Sequence, residues 1–176
     1  VVVSVLFPMF LFYFVEINYL YGVKDQIQGY TDSAAAAAVM QVNRERIKEG
    51  IIELDDQKAD EYAKKILASN LLLNEDLSVT EGSLIKEDPI VRIYPVMPSD
   101  LGGETEYVTP EGFKFTITNP TVIVYTEAQP QGIFYNRFVN IKSVSAYQAS
   151  FKKDEPLQFE DNPIVSADSL VVRLNG

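Results

Sequence analysis

The chain has 176 residues, 47% of them hydrophobic, with 15 Lys+Arg against 25 Asp+Glu and therefore a formal net charge of −10. That length suits one ordinary domain with an appendage, and the acidic balance argues against nucleic acid as a partner while suiting a self-repelling exterior. With no Cys and no His, disulfides, thiolate metal sites, Ser-His-Asp and Cys-His catalysis and His-Glu-x-x-His zinc chemistry are excluded.

No Gly-rich phosphate-binding loop occurs either. An enzyme built on this chain has only carboxylates, Lys, Tyr and Ser to work with, so the expectation is a non-enzyme with no cofactor, no catalytic residues and no metal.

The apolar residues crowd one end. Val1 to Val15 is interrupted only by Ser4 and Pro8. At about 1.5 Å per residue, residues 1–23 make a rod of about 35 Å, enough for a hydrocarbon core of about 30 Å, which predicts a transmembrane helix. Tyr19 and Tyr21, then Lys24 as the first basic residue, suit a membrane interface. Neither an initiator Met nor a basic residue precedes the run, the pattern expected either of a trimmed N-terminus or of a peptidase that cuts on the cytoplasmic side and leaves the apolar segment attached.

Pro8 is expected to loosen one helical turn. A charge at membrane depth costs on the order of 2.5–3.5 kcal/mol, so Glu16 needs an explanation. Either it snorkels outward at the end of a short apolar run, or it meets a cation of a neighbouring subunit, Lys24 being the nearest cation in sequence.

From Lys24 onward the spacing stays helical. Ile27, Tyr30, Ala34, Ala37, Ala38 and Gln41 fall at helical intervals, and the alanines at 34–38 are strong helix formers that let other helices approach closely. Gly22 and Gly29 are weak points costing about 0.8–1 kcal/mol each relative to Ala. One largely continuous helix from about residue 2 to 48 is predicted, with Gly50 as its stop. A second, amphipathic helix is predicted from Asp55 to about Leu72, with Ala59, Tyr62, Ala63, Ile66 and Leu67 on its apolar face. Asp60–Lys64 and Glu61–Lys65 are its supporting pairs.

Beyond Leu77 short strand-like runs alternate with turn residues: Ile90–Val96, Phe113–Thr118, Thr121–Thr126, Ile141–Phe151 and Leu170–Leu174. Asn119-Pro120 predicts a turn between antiparallel neighbours, and 132–140 suits a helical turn or an irregular strand. The predicted fold class is α+β: a long N-terminal apolar helix, a second helix and an antiparallel β-sheet domain. The division expected is 1–50 for the long helix, with 1–23 as membrane or filament-core segment, and 51–176 for the globular α+β domain. Asp154, Glu155, Glu160 and Asp161 form an acidic stretch that suits a solvated loop better than a calcium site, since no EF-hand spacing is present.

The stretch VLFPMFLFYFVEINYLYGVKDQIQGYTDSAAAAA resembles the TadE/TadG-like group of pilin-related proteins. The resemblance rests on an apolar run containing Pro8, the acidic Glu16, and a polar linker leading into Asp32 and the alanines at 34–38. NPTVIVYTEAQP and SVSAYQASF are similar to paired strands of that group, less specifically. Pilin-like proteins commonly carry Glu at the fifth mature position, where this chain has Val5, so the pairing made by that Glu is not carried over.

The resemblance implies a structural, pilin-like subunit of an extracellular filament at the cell surface. Such a chain is membrane-inserted as a precursor and polymerises with itself through the apolar helix. The alternative is a minor pilin-like or single-pass membrane-anchored component of a pilus or secretion apparatus. The expected assembly residues are Val5, Pro8, Leu11, Phe12, Val15, Glu16, Tyr19 and Lys24.

Overall fold

The computed structural model describes residues 2–47, 51–102, 105–134, 139–150, 158–161 and 173–174. Helix α1 spans Val2–Val39 and runs through Pro8, Gly22 and Gly29 without a break. It stops nine residues before the position expected from sequence, because the following chain pairs elsewhere. Gln41 N–H bonds back to the Ala38 carbonyl at 3.0 Å. Asn43 N–H then donates to Glu53 O and Asp55 N–H to Gln41 O, each at 2.8 Å. This small antiparallel clasp, with the short helix α2 (Arg44–Ile47) on one side of it, returns the chain towards α1.

Helix α3 (Asp56–Leu71) starts where its cap requires. The Asp55 carboxylate accepts from Lys58 N–H at 3.1 Å and from Lys58 Nζ at 2.6 Å, satisfying one of the otherwise orphaned amides of the first turn. Hydrogen bonds from Lys58 hold the Asp55 carboxyl below its ordinary value. Ala59, Ala63, Leu67, Ala68 and Leu71 are buried. Tyr62, expected on the apolar face, is exposed, and Ile66 is only half-buried. Of the two expected ion pairs, Asp60–Lys64 forms at 2.7 Å, whereas no Glu61–Lys65 pair occurs among the described residues.

The sheet is antiparallel, in the order β1 (Ile90–Val96), β4 (Thr121–Ala128), β5 (Val139–Ser150), β6 (Gln158–Asp161), with β7 (Arg173–Leu174) also pairing β5. A separate hairpin joins β2 (Glu106–Val108) to β3 (Lys114–Thr116). Alternation along β4 sends Val122 and Val124 into a core shared with α1 and α3, and Ile123 and Tyr125 into a second core under the hairpin. Both faces are therefore covered, and every residue from Thr121 to Thr126 is buried.

Asn119-Pro120 is consequently not a hairpin turn. Strand β3 pairs with β2 and not with β4, because the fully buried Phe115 and Ile117 pack over the sheet's outer face. The chain at 119–120 steps from one layer to the other. The strands β2 and β6 were not expected. Glu160 and Asp161 lie in β6, opposite Gln148 and Tyr147, so that part of the acidic stretch is strand and not loop; Asp154 and Glu155 lie outside the described residues.

The second half of α1 belongs to the first core: Val23, Ile27, Ala34, Ala35, Ala38 and Val39 are buried there with Ala59, Ala63 and Leu67 of α3. Small side chains on both helices permit the close approach. A polar seam adds specificity. Gln28 Nε2 donates to Asp32 Oδ1 at 2.8 Å and to the Val144 carbonyl at 3.2 Å, while its Oε1 accepts from Ser143 Oγ at 2.8 Å. These bonds span helix and sheet, and buried polar groups left unpaired would cost stability.

Candidate assembly surface

Phe7, Met9, Phe10, Leu11, Phe12, Tyr13, Phe14 and Val15 are all exposed, Phe10 by 69%. At about 100° per residue, the consecutive run from Met9 to Val15 passes more than once around the helix. No azimuth is left polar and none is buried in the domain. This is the reverse of an ordinary surface helix, which hides one apolar stripe.

The change comes abruptly at Glu16, which is 2% exposed. Its Oε2 accepts from the backbone N–H of Ile133 at 3.0 Å and of Phe134 at 2.9 Å. Its Oε1 is buried and makes no hydrogen bond among the described residues. Two amides on one carboxylate oxygen are charge-assisted bonds, stronger than neutral ones.

The loop that supplies them is itself anchored. Lys86 N–H donates to Gln129 O at 2.8 Å, and Gln131 N–H donates to Leu84 O at 3.1 Å. The segment leaving β4 is thereby led to α1. Next to the carboxylate, the Phe134 ring meets Phe12 at 5.0 Å between centroids, tilted by 49°.

Of the residues expected at the surface, Pro8, Leu11, Phe12 and Val15 lie exposed on α1. Val5 lies in α1, its side chain outside the described residues. Tyr19 is partly buried and packs against the main core. Within the chain, Lys24 Nζ lies 5.8 Å from the centre of the Tyr21 ring, a cation–π distance. Within one chain Glu16 does not snorkel outward; it is buried and accepts from backbone amides.

Ile133 and Phe134, both about half exposed, escaped sequence reasoning. The only local signal is two large apolar residues directly after the turn-like QPQG, where a loop is normally polar.

Of the expected membrane-crossing segment at 1–23, Val1 and the side chains of residues 2–6 lie outside the described residues; among the described residues no helix is long and apolar enough to cross a membrane.

A second polar group lies on the outer face of the sheet. Arg92 Nη1 and the Tyr94 hydroxyl both donate to Glu111 Oε1, at 2.7 and 2.8 Å. Burial raises the Glu111 carboxyl, but the Tyr94 hydrogen bond, with its own amide, Thr109 and the Arg92 charge, outweighs it and leaves the group below its ordinary value. Tyr125 donates to Glu127 Oε2 at 2.7 Å; burial first, and that carboxylate second, raise its hydroxyl strongly. The bonds to Glu111 tie β1 to the hairpin, whereas the Tyr125–Glu127 bond lies within β4. Among the described residues no cluster of acidic side chains is arranged to hold a metal.

Compared with protein-family models, with curated proteins and with solved structures, the chain matches none of them.

Proposed function

We propose that this chain is a pilin-like structural subunit of an extracellular filament, polymerising with itself at the cell surface through the N-terminal part of α1. The observation that carries the reading is the run from Phe7 to Val15, apolar and exposed on every side of the helix. Burying such surface is favourable by roughly 25 cal/mol per Å², and a flat partner covers only one side of a cylinder. Several like helices packed around it cover all of it. The resemblance of roughly the first 70 residues to TadE/TadG-like proteins supports the same reading. On this reading the α+β body, with its acidic balance, forms the solvated outer layer and carries no catalytic role.

A Leu11→Asp variant tests it. The wild-type chain, purified in mild detergent, assembles into filaments when the detergent is removed, seen by negative-stain electron microscopy and by pelleting. Leu11→Asp abolishes assembly and leaves the circular-dichroism spectrum of the dissociated chain unchanged. Normal assembly of that variant overturns the proposal.

A further inference from the structure

We infer that Glu16 is a positioning residue that fastens the 131–134 loop to α1, so that Phe134 and Ile133 extend the helical apolar surface onto the body of the subunit, where a second copy of this chain covers them. The inference rests on the filament reading for its partner, but the fastening within one chain stands apart from it.

The fastening follows from the geometry. A buried carboxylate needs hydrogen bonds or a counter-charge, because an unpaired buried charge costs several kcal/mol. Glu16 obtains them from consecutive amides, Ile133 and Phe134. Both amides sit in an irregular segment that forms no strand ladder, so the carboxylate is the partner that satisfies them. Holding both backbone groups fixes the direction in which the two side chains leave the loop. They point outward, about half exposed, with Phe134 against Phe12. The loop therefore adds an aromatic ledge to the base of the exposed helix.

The size of the surface identifies its occupant. Aromatic side chains carry roughly 150–250 Å² each. Phe7, Phe10, Phe12, Phe14 and Phe134, about half to two-thirds exposed, thus present on the order of 600 Å². Monomers rarely leave more than a few hundred Å² of contiguous apolar surface uncovered, and one side of a standard protein interface buries about 800 Å². Met9, Leu11, Val15 and Ile133 add to the total. Charge selects the partner: the chain carries −10, so two copies repel wherever acidic surface meets acidic surface. The run from Phe7 to Val15 and the Ile133–Phe134 ledge contain no charge, which lets copies meet there.

The carboxylate's role as hydrogen-bond acceptor, and not as a charge, separates this inference from an ionic contact between subunits. Glutamine retains one carbonyl oxygen that accepts from both amides, and the oxygen it replaces makes no hydrogen bond among the described residues.

The test uses the full chain with amide hydrogen exchange in detergent and assembly after its removal. Glu16→Gln keeps slow exchange at Ile133 and Phe134, within about threefold of wild type, and assembles. Glu16→Ala speeds exchange at those two amides about tenfold or more, leaves the β4 amides unchanged, and assembles poorly. Phe134→Ala keeps the protection and raises the concentration needed for assembly about tenfold. Unchanged exchange in Glu16→Ala overturns the fastening. Failure of Glu16→Gln to assemble with its amides still protected shows that the charge is what assembly uses, and overturns the positioning role. Wild-type-like assembly of Phe134→Ala removes the ledge from the interface. If the wild-type chain forms no filament, the proposed function fails, while the exchange data still decide whether Glu16 fastens the loop.

Discussion

The two halves of α1 share one backbone geometry and differ in what surrounds it. From Phe7 to Val15 the side chains are large, mostly aromatic and exposed all round. From Val23 to Val39 the buried positions are Val23, Ile27, Thr31, Ala34, Ala35, Ala38 and Val39, recurring at helical intervals, while Asp25, Gln26, Gly29 and Ser33 face outward. Both halves are rich in apolar residues, so hydrophobicity alone does not distinguish an assembly surface from a core helix. Side-chain size and azimuth do. Small residues along one stripe let a helix settle against α3 and the sheet; bulky residues on every side leave no face that one domain covers. Glu16 marks the change, because there the 131–134 loop holds the helix by two hydrogen bonds.

The largest expected difference between the halves comes from introducing a carboxylate. Ile27 is 0% exposed, and Ile27→Asp buries a charge without a partner. It should cost about 4 kcal/mol or more of stability, measured by urea unfolding of the dissociated chain in mild detergent. Leu11→Asp, on the exposed half, should change that stability by less than ~0.5 kcal/mol. Equal losses at the two positions would erase the distinction.

A smaller contrast tests packing. Ala35 is completely buried between α1 and its neighbours, so Ala35→Leu should overpack the site and cost roughly 1–3 kcal/mol. A thermal midpoint unchanged from wild type would mean that the helix is looser against the body than the burial implies.

The smallest effect has the opposite sign. No heavy atom lies within 4 Å of where a Cβ would stand at Gly22 or Gly29, and both have helical neighbours on either side. Gly22→Ala and Gly29→Ala should therefore each stabilise the dissociated chain by about 0.8–1 kcal/mol, read from the urea midpoint. If either variant gains that stability yet assembles less well, the glycine lies where a neighbouring copy approaches, and the assembly surface extends past Glu16.

Much of the fold was legible because local patterns carried it. Ile90–Val96 appears as a strand with the predicted bounds, and α3 runs Asp56–Leu71, within one residue of the predicted bounds at each end, with Asp55 as its cap. The Asn119-Pro120 turn was misleading, since a turn signal marks a change of direction and says nothing about which strands pair across it. Tyr62 was misplaced for a related reason: helical spacing puts it beside the apolar stripe, but the width of the buried stripe depends on what lies opposite. At the candidate surface, Leu11, Phe12 and Val15 were accessible from composition, whereas Ile133 and Phe134 were not, being 117 and 118 residues from the Glu16 that holds their amides.

By itself the sequence determined that the chain opens with an all-round apolar helix, continues in helices and ends in an antiparallel sheet. Those features depend on periodicity and propensity within a few turns or one strand. Only the tertiary structure decided where α1 stops, which of its halves is covered, and what Glu16 bonds to. Each of those outcomes depends on groups far apart in sequence: the 41–43 and 53–55 clasp ends the helix, α3 and the sheet bury its second half, and the loop beyond β4 brings two amides to one carboxylate. A buried charge must find partners, but which groups come within hydrogen-bonding distance is set by the packing of the whole chain.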